Sequence, residues 1–363
     1  MEEGMRARRA WLKLLYDSAD ISADVAPFLR SATFTDNFNS ADDLQITLAD
    51  AEGLWRGDWF PAKGARLTAT IFVSDWNAPG DAARLYCGVF FVDEVTAQGP
   101  EATVTVKARS VMVTDANGPG AGIQKQLKTR AWENTTLKTI AAQIAGEAGL
   151  TLHFQLSEDI SYGRRDQLER SDLGFLEWLG DEGGFCVKVS DEKLIVCSRG
   201  DLEAGAPVGT VQRRGPRKKT AFKTLSGATG MSEVSSWSFS SSAGTQYKNC
   251  TVSWYDAAKK ATYRATASTD AVDSGQSLTL SERAESPADA QRIAAARLKR
   301  ANLSAVRGTL TMMGDVRMAA GVNITVEGFG VFDGRFFIDS AVHSVDGGGG
   351  YKTTIQVHRG EKK

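Results

Sequence analysis

Alternating apolar and polar positions dominate the first third of the chain. Residues 44–50, 65–73, 84–95 and 102–108 alternate in this way or are rich in β-branched side chains, and clusters of Gly, Pro, Asn and Asp separate them. Short strands at this spacing are typical of a small antiparallel barrel or sandwich. We therefore predict a first small β-barrel in this part of the chain.

Helical spacing replaces the alternation in the next part of the sequence. An amphipathic helix is predicted from an N-cap at Asn134 or Thr135 to a stop at Gly149, and a second helix follows the N-cap Ser171. Gly183 and Gly184 end that second helix, and two short strands around an S-D-E-K turn come next. This mixture predicts a compact α+β module.

The last third contains the clearest helix of the chain, followed by more strands. Ser286 is the predicted N-cap, Pro287 occupies the first helical position, and Asp289 completes a capping box. Four alternating segments follow this helix and predict a second small β unit.

Composition and periodicity together divide the chain into five regions. The predicted fold class is mainly β with an α+β part: two small antiparallel β-barrels plus a helix-and-hairpin module. The predicted regions are a first barrel over 1–115, the α+β module over 116–204, a linker and the start of the second barrel over 205–240, an inserted β-hairpin region over 241–285, and a helix with the second barrel over 286–363.

The charge balance gives no global attraction to nucleic acid or to an anionic membrane. The 363 residues include 43 Lys and Arg and 44 Asp and Glu, for a net charge of −1. A basic run over 212–223 leaves a weak hypothesis of DNA binding, although such runs are usually solvated loops. No apolar stretch approaches the roughly 18 residues of a membrane-spanning helix, so we expect no membrane insertion by this chain.

The four cysteines form no C-x-x-C pair and are too sparse for a disulfide framework in a chain of this length. Only Cys186 and Cys197 lie close enough in sequence to suggest pairing across a hairpin. We predict that these two, together with Cys87 and Cys250, are buried free thiols of a cytosolic protein.

Glycines near the C-terminus imitate a nucleotide-binding loop without its spacing. In the segment GFGVFDG, the third glycine, Gly334, is one position too far from Gly328 and Gly330 for this motif, and the residues that follow alternate as a strand. We interpret residues 332–335 as a hairpin turn in which Asp333 and Gly334 adopt positive φ.

No other motif of catalysis or metal binding is recognisable. The three histidines, His153, His343 and His358, are isolated from Cys, Asp and Glu at ligand spacing and lie in or beside predicted strands, which indicates structural roles. A P-loop, an H-E-x-x-H motif and a G-x-S-x-G elbow are absent. We therefore predict no enzyme activity, no catalytic residue, no cofactor and no metal.

Two separated segments carry a family resemblance. They are QLERSDLGFLEWLGDEGG and the later GFGVFDG, which is followed by HSVDGGGGYKT. Their order and content resemble the phage late control D family, the baseplate hub proteins of contractile tails. The matching positions are Gln167, Ser171, Asp172, Phe175, Leu176 and Gly184 in the first segment, and Gly328, Gly330, Asp333, Gly334, His343, Gly350, Tyr351 and Thr353 in the second.

The resemblance implies a structural protein of a phage tail or a related contractile injection machine, similar to the front half of type VI secretion spike proteins. Such a hub is a homotrimer that joins a threefold central spike to a sixfold tail tube. Other baseplate proteins and the tape measure protein are further implied partners, and the implied location is the virion tail baseplate, after assembly in the bacterial host cytoplasm. Because the chain ends at Lys363, after the last strand, we expect no fused lysozyme or needle domain.

Symmetry adds one expectation to this resemblance. A threefold ring presents six near-equivalent surfaces to a sixfold tube only when each chain supplies two similar units. We therefore expect the two barrels to share a strand order despite little shared sequence.

A protein that binds peptidoglycan or another carbohydrate is the alternative from a different functional class. The region over 134–197 has the size of a cell-wall-binding domain, and exposed aromatic residues such as Trp132 or Trp178 could stack on sugar rings.

Overall fold

A sheet of 13 strands connects the two ends of the chain in the computed structural model. The structure describes residues 7–112, 118–213, 231–242, 246–257, 259–270, 275–303 and 305–359. Three smaller sheets and five α-helices complete the described elements. The predicted fold class, mainly β with two barrel-like units and an α+β module, is confirmed.

The first barrel-like unit is built from strands that bury every second residue. In β5, for example, Leu67, Ala69, Ile71 and Val73 all point into the same core. The elements of this unit are β1 (Arg9–Tyr16), β2 (Ala19–Asp20), α1 (Ser22–Val25), β3 (Leu29–Asn37), β4 (Asp43–Ala49), β5 (Arg66–Ser74), β6 (Ala82–Gln98) and β7 (Thr103–Arg109). Their order in the sheet is β3-β4-β7-β6-β5-β1, and all neighbours are antiparallel.

The α+β module follows, with its own core between two helices and two small sheets. Its elements are β8 (Leu127–Thr136), α2 (Leu137–Glu147), β9 (Thr151–Gln155), β10 (Ser161–Ser171), α3 (Asp172–Gly183), β11 (Phe185–Ser190), β12 (Lys193–Ser198) and α4 (Arg199–Ala204). Strands β8 and β10 form an antiparallel pair, and β12 lies between antiparallel β11 and parallel β9.

The predicted N-cap of α2 was wrong by one or two positions. Strand β8 continues to Thr136, and Thr135 is still paired with Tyr162 of β10. Thr136 is therefore the N-cap, and its side chain accepts a hydrogen bond from the backbone N–H of Thr139. The predicted stop at Gly149 is confirmed, since this residue has φ of +64°.

The remainder of the chain forms a second barrel with an insertion. Its elements are β13 (Pro207–Arg213), β14 (Met231–Ser241), the inserted β15 (Asn249–Asp256), β16 (Ala261–Ser268), β17 (Ser277–Leu280) and α5 (Pro287–Asn302), then β18 (Val306–Met313), β19 (Asn323–Glu327), β20 (Gly334–Asp346) and β21 (Tyr351–Arg359). The order β19-β13-β14-β18-β21-β20 closes on itself, because β20 also pairs with β19.

Helix α5 belongs to the core of the insertion. Its buried residues Ala290, Ile293, Ala294 and Leu298 pack against the sheet of β15, β16 and β17 and not inside the second barrel. Its predicted N-cap is confirmed, since the Ser286 side chain accepts a hydrogen bond from the Asp289 backbone N–H.

The two barrel-like units share a strand order. Each unit has six main strands along the chain when the two-residue β2 of the first unit and the inserted β15, β16 and β17 of the second are left out. In both units the order across the sheet is then second, third, sixth, fifth, fourth, first. The direction of the first strand differs, because β1 is antiparallel to β5 whereas β13 is parallel to β19 and β14. The prediction that both barrels are antiparallel was therefore wrong for this strand of the second barrel.

Strand β20 belongs to both units. Its first residues, Gly334 to Phe337, pair with β19 inside the second barrel, and its last residues, Ser340 to Asp346, pair with β3 of the first unit. The partner changes at Asp339, whose carbonyl accepts a hydrogen bond from the Phe38 N–H just beyond β3. On its other edge, β20 pairs with β21 along almost its whole length.

A substitution in the turn between β20 and β21 can test how tightly the two units are joined. A Cβ atom on Gly347 would lie 2.0 Å from the backbone oxygen of Leu29 at the start of β3, whereas a Cβ on Gly275 would meet no atom within 4 Å. We expect Gly347→Ala to lower the free energy of unfolding by about 1–3 kcal/mol and Gly275→Ala to change it by less than about 0.5 kcal/mol. Chemical denaturation of both variants measures this difference, and equal effects would contradict the packing at the junction.

Candidate functional site

The first predicted motif forms a buried ionic network at the start of α3. The Gln167 amide donates to the Arg170 carbonyl (2.9 Å) and to the Asp172 carboxylate (2.8 Å). Lys128 and Arg130 of β8 each approach Asp172 to 2.7 Å, and only 2% of Asp172 is exposed. The network therefore fixes the β8–β10 pair to the N-terminus of α3.

Glu147, at the end of α2, completes this network from the opposite side. Burial alone would raise the pKa of its carboxyl group, but hydrogen bonds from Gln143, Lys128 and Arg130 outweigh burial and hold the pKa at about 2. Glu147 thus stays ionised, and the network joins both helices of the module to β8.

The other residues of this motif have local structural roles. The Ser171 hydroxyl accepts a hydrogen bond from the Gly174 N–H (3.2 Å) and caps α3. Phe175 and Leu176 are fully buried in the module core, and Gly184 ends the helix with φ of +76°. The motif is thus a folding motif of the module.

The second motif centres on a buried histidine at the boundary between the two barrel-like units, where its ring stacks on Phe34 of β3. His343 Nδ1 lies 2.6 Å from the Tyr351 hydroxyl and 3.2 Å from Thr353 Oγ1, and Nε2 lies 2.7 Å from the Met318 carbonyl. Because a carbonyl can only accept, Nε2 carries the proton and the Tyr351 hydroxyl donates to Nδ1. The Thr353 hydroxyl also accepts from the Asp315 N–H (2.9 Å).

The glycine-rich turn beside this cluster is closed by one aspartate. The Asp346 carboxylate accepts hydrogen bonds from the N–H groups of Gly348 and Gly350, both at 2.9 Å. A Cβ atom on Gly350 would lie 2.3 Å from the same carboxylate. Glycine at position 350 therefore allows the close approach of backbone and carboxylate.

The predicted two-residue turn at Asp333 and Gly334 was wrong. Asp333 has φ of −63°, and a 3-10 turn at Gly330–Phe332 lengthens the connection between β19 and β20. Only the glycines of this loop have positive φ, with +85° at Gly328, +67° at Gly330 and +132° at Gly334. The Asp333 carboxylate instead accepts a hydrogen bond from the Phe329 N–H (2.6 Å), which holds the longer loop together.

His358 occupies the opposite electrostatic situation from His343. Burial alone would lower the pKa of His358, but Asp339 and Glu203 raise it above its usual value. Its Nδ1 lies 2.8 Å from the Asp339 carboxylate, and Nε2 lies 3.5 Å from Glu203. This histidine links β21 to Asp339, the residue at which β20 changes its partner strand, and to α4 of the module.

A face rich in hydroxyl and amide groups covers six adjacent strands from β14 to β4. It lies on the side of the sheet away from the barrel cores, and cross-strand pairs of hydroxyls connect Thr33 with Ser344, Thr311 with Thr354, and Thr47 with Thr105 of the next strand. We call it the hydroxyl face and define it by Ser31, Thr33, Thr35, Gln45, Thr47, Ser236, Ser238, Thr309, Thr311, Ser340, Ser344, Thr354 and Gln356. Three charged residues lie on the same side of these strands, with Asp43 opposite Thr35, Arg307 opposite Ser240, and Lys352 opposite Ser344. The face therefore carries charge at its margins and mostly uncharged polar groups between them.

The aromatic residues proposed for carbohydrate binding are not free surface residues. Trp132 is buried and stacked on Phe175, with ring centroids 6.3 Å apart. Trp178 is half-buried against the same core and lies under the Arg170 guanidinium. The carbohydrate hypothesis depended on exposed aromatic rings at these two positions, and the structure shows that neither ring is freely exposed.

The basic run and His153, which were also considered from the sequence, form no binding site among the described residues. In the basic run, residues 214–223 lie outside the described part, and Arg213 packs over the Trp237 ring. His153 is on the exposed side of β9. Within the described ranges, no group of three or more His, Cys, Asp or Glu could hold a metal ion, and none of the helices there has the length and apolar character to span a bilayer.

The pKa values of the two buried histidines are shifted in opposite directions, so we predict opposite effects of pH on their contributions to stability. Burial holds the pKa of His343 below that of the unfolded chain, so its contribution is present above about pH 6.5 and is lost on acidification. The raised pKa of His358 gives a contribution that is present at low pH and is lost as the pH rises.

We therefore expect matched His→Gln variants to differ in sign. Between about pH 7.5 and about pH 5.5, the stability advantage of wild type over His343→Gln should shrink as the pH falls, and its advantage over His358→Gln should grow. Urea denaturation across this range measures both differences. Parallel pH profiles for the two variants would contradict these environments.

Comparison with known proteins adds a family to these features. A family model described as "Phage tail baseplate hub (GPD)" matches residues 48–349, well over half of the chain. A "Probable baseplate hub protein" of Escherichia phage P2 is 34% identical over 190 residues, which is 52% of this chain and 45% of that protein. A protein of the same description from Escherichia phage 186 is 31% identical over 199 residues, 54% of this chain and 47% of that protein. The chain thus spans less than half the length of these two relatives.

Solved structures with similar folds also include tail proteins. A tail protein from Neisseria meningitidis has a TM-score of 0.69 at 11% identity, with 97% of each chain covered. The 43 kDa tail protein of prophage MuSo2 from Shewanella oneidensis has a TM-score of 0.66 at 14% identity and covers 97% of this chain and 98% of its own. The type VI secretion component c3393 of E. coli has a TM-score of 0.52 at 14% identity, over 92% of this chain and 73% of its own.

Proposed function

Because the chain belongs to the phage tail baseplate hub family, we propose that it is the adaptor between a threefold central spike and a sixfold tail tube. In this proposal three copies form a ring. The spike docks on one end of the ring, and the tail tube continues from the other end. The chain itself has a structural role and catalyses no reaction.

The observation that supports this proposal is the shared strand order of the two barrel-like units. Three chains that each contain two such units place six similar units around one axis, which is the number that a sixfold tube requires. The units differ in sequence and in the direction of the first strand, so their docking surfaces are equivalent in outline only. The pairing of β20 with β3 holds the two units side by side within a chain.

The hydroxyl face gives this ring a lining. It extends across the strand pair that joins the two units, so three chains with this face turned inward would form one wall without a break at β20 and β3. Hydroxyl and amide groups carry no charge that would bind a passing polyanion or a charged polypeptide tightly. We propose that the hydroxyl face lines the channel of the hub.

Further partners follow from the same arrangement. The α+β module and the insertion of β15, β16, β17 and α5 would lie on the outside of the ring, where other baseplate proteins can contact them. A tape measure protein would reach the hub through the tube. We place the assembled hub in the virion tail baseplate, with assembly in the bacterial host cytoplasm.

The first test of this proposal is the mass of the assembly. We expect light scattering of the full chain, with the spike protein of the same particle present, to give three times the 39.0 kDa of one chain in the hub part of the complex. Obligate interfaces of this kind bury upward of about 2,000 Å². A stable monomer or dimer in that complex would exclude the adaptor.

The second test concerns the channel lining alone. Gln45→Cys places a thiol on the hydroxyl face, and Ala257→Cys places one on the exposed turn after β15 as a control. All four native cysteines are buried, and Cys197→Ser in both variants removes the most exposed of them as a source of background. A small maleimide should label both variants, whereas a maleimide attached to a large globular protein should label only Ala257→Cys once the ring has formed. Equal labelling by the large reagent in a confirmed trimer would reject the lining but not the trimer.

A further inference from the structure

Two cysteines of the module face each other across the β11–β12 hairpin. Cys186 and Cys197 are direct partners in the strand register, and their Sγ atoms are 2.9 Å apart. Directly opposed residues of antiparallel strands have Cα atoms about 4.5–5.5 Å apart, which lies within the range of about 4.4–6.8 Å that a disulfide needs. We propose that this pair is an oxidative modification site, which forms a disulfide when the hub meets a small-molecule disulfide outside the reducing cytoplasm.

The two thiols are not equivalent, and the difference assigns their roles. The side of the hairpin with Cys197 is nearer to solvent, since 8% of Cys197 but only 2% of Cys186 is exposed. A hydrogen bond from Cys186 and the charge of Arg199 lower the pKa of the Cys197 thiol, whereas the pKa of Cys186 is raised. Thiolates are the attacking species in thiol–disulfide exchange, so Cys197 is the first nucleophile and Cys186 resolves the intermediate.

The exchange balances with one equivalent of oxidant. The Cys197 thiolate attacks one sulfur of the small disulfide, forms a mixed disulfide and releases one small thiolate, which takes up a proton. Cys186 then loses its proton and attacks the Cys197 sulfur, and the second small thiol leaves. The protein loses two protons and two electrons, which together are two hydrogen atoms, and the small disulfide is reduced to two thiols.

The cysteine pair lies close to the junction between the two barrel-like units. Cys186 and Cys197 lie in a small apolar cluster with Phe38, which follows β3, and with Phe337 of β20. The hairpin therefore contacts both barrel-like units at the junction where β20 changes partner. A disulfide here would reinforce the hairpin against local opening without a change in strand pairing. This inference does not depend on the trimeric state.

Oxidised glutathione is a suitable probe for the test. The folded full chain is incubated with it, unfolded, alkylated and weighed as an intact protein. We expect wild type to lose the mass of two hydrogen atoms, to retain two alkylatable thiols, and to melt several degrees higher until dithiothreitol reverses the change. Four alkylatable thiols, or glutathione adducts that persist in wild type, would overturn the proposal.

Matched variants separate this pair from the other two thiols. Cys87 and Cys250 lie in the cores of the first unit and of the insertion. The double variant with Cys87→Ser and Cys250→Ser should still form the disulfide, whereas Cys186→Ser should stop at a glutathione adduct on Cys197, and Cys197→Ser should not react. Loss of disulfide formation in the Cys87 and Cys250 variant, or its persistence in either variant of the pair, would overturn the assignment.

Discussion

The architecture depends on one strand that has two partners on the same edge. Strand β20 pairs first with β19 and then with β3, and the change at Asp339 turns two barrel-like units into one sheet. Backbone hydrogen bonds are directional, so this pairing fixes the angle and the distance between the units more firmly than side-chain packing between separate barrels would. The hydroxyl face is continuous for the same reason. The two roles that we propose, six similar units and one channel wall, both rest on this pairing.

Buried charges attach the α+β module to this frame and the insertion to the module. Lys188 of β11 reaches Asp36 of β3 and lies 2.8 Å from Asp42, and burial raises the pKa of Asp42 to about 6 against the effect of Lys188. Arg165 of β10 lies 2.8 Å from Glu285, just before α5, and is almost fully buried. Such pairs contribute little net stability, but an orphaned partner is costly, so they select one arrangement of the module against its neighbours.

The sequence predicted local structure well and long-range pairing poorly. The capping residues Ser171 and Ser286 and the glycine at 184 were read correctly, because a cap depends on four or five adjacent residues. The connection of β20 to β3 joins residues about 300 positions apart in the chain, and no local pattern reports such a pair. The prediction of the turn at Asp333 failed although the interaction is local, because a hydrogen bond from the Phe329 N–H to the Asp333 carboxylate selects a longer loop than the glycine pattern favours. Resemblance found the motif residues, but only the structure explained them as two buried polar networks.

The shared strand order also explains why no repeat is visible in the sequence. A barrel strand must bury alternate side chains and form two hydrogen-bonded edges, and many different sequences satisfy these two conditions. Two units can therefore keep one order while their residues diverge, provided that the strands still alternate. The reversed first strand supports this view, because β1 pairs with β5 in the direction opposite to β13 on β19, yet both fill the same place beside the fourth strand. The constraint that is retained is the order of the edges, which is the property that a ring of near-equivalent units requires.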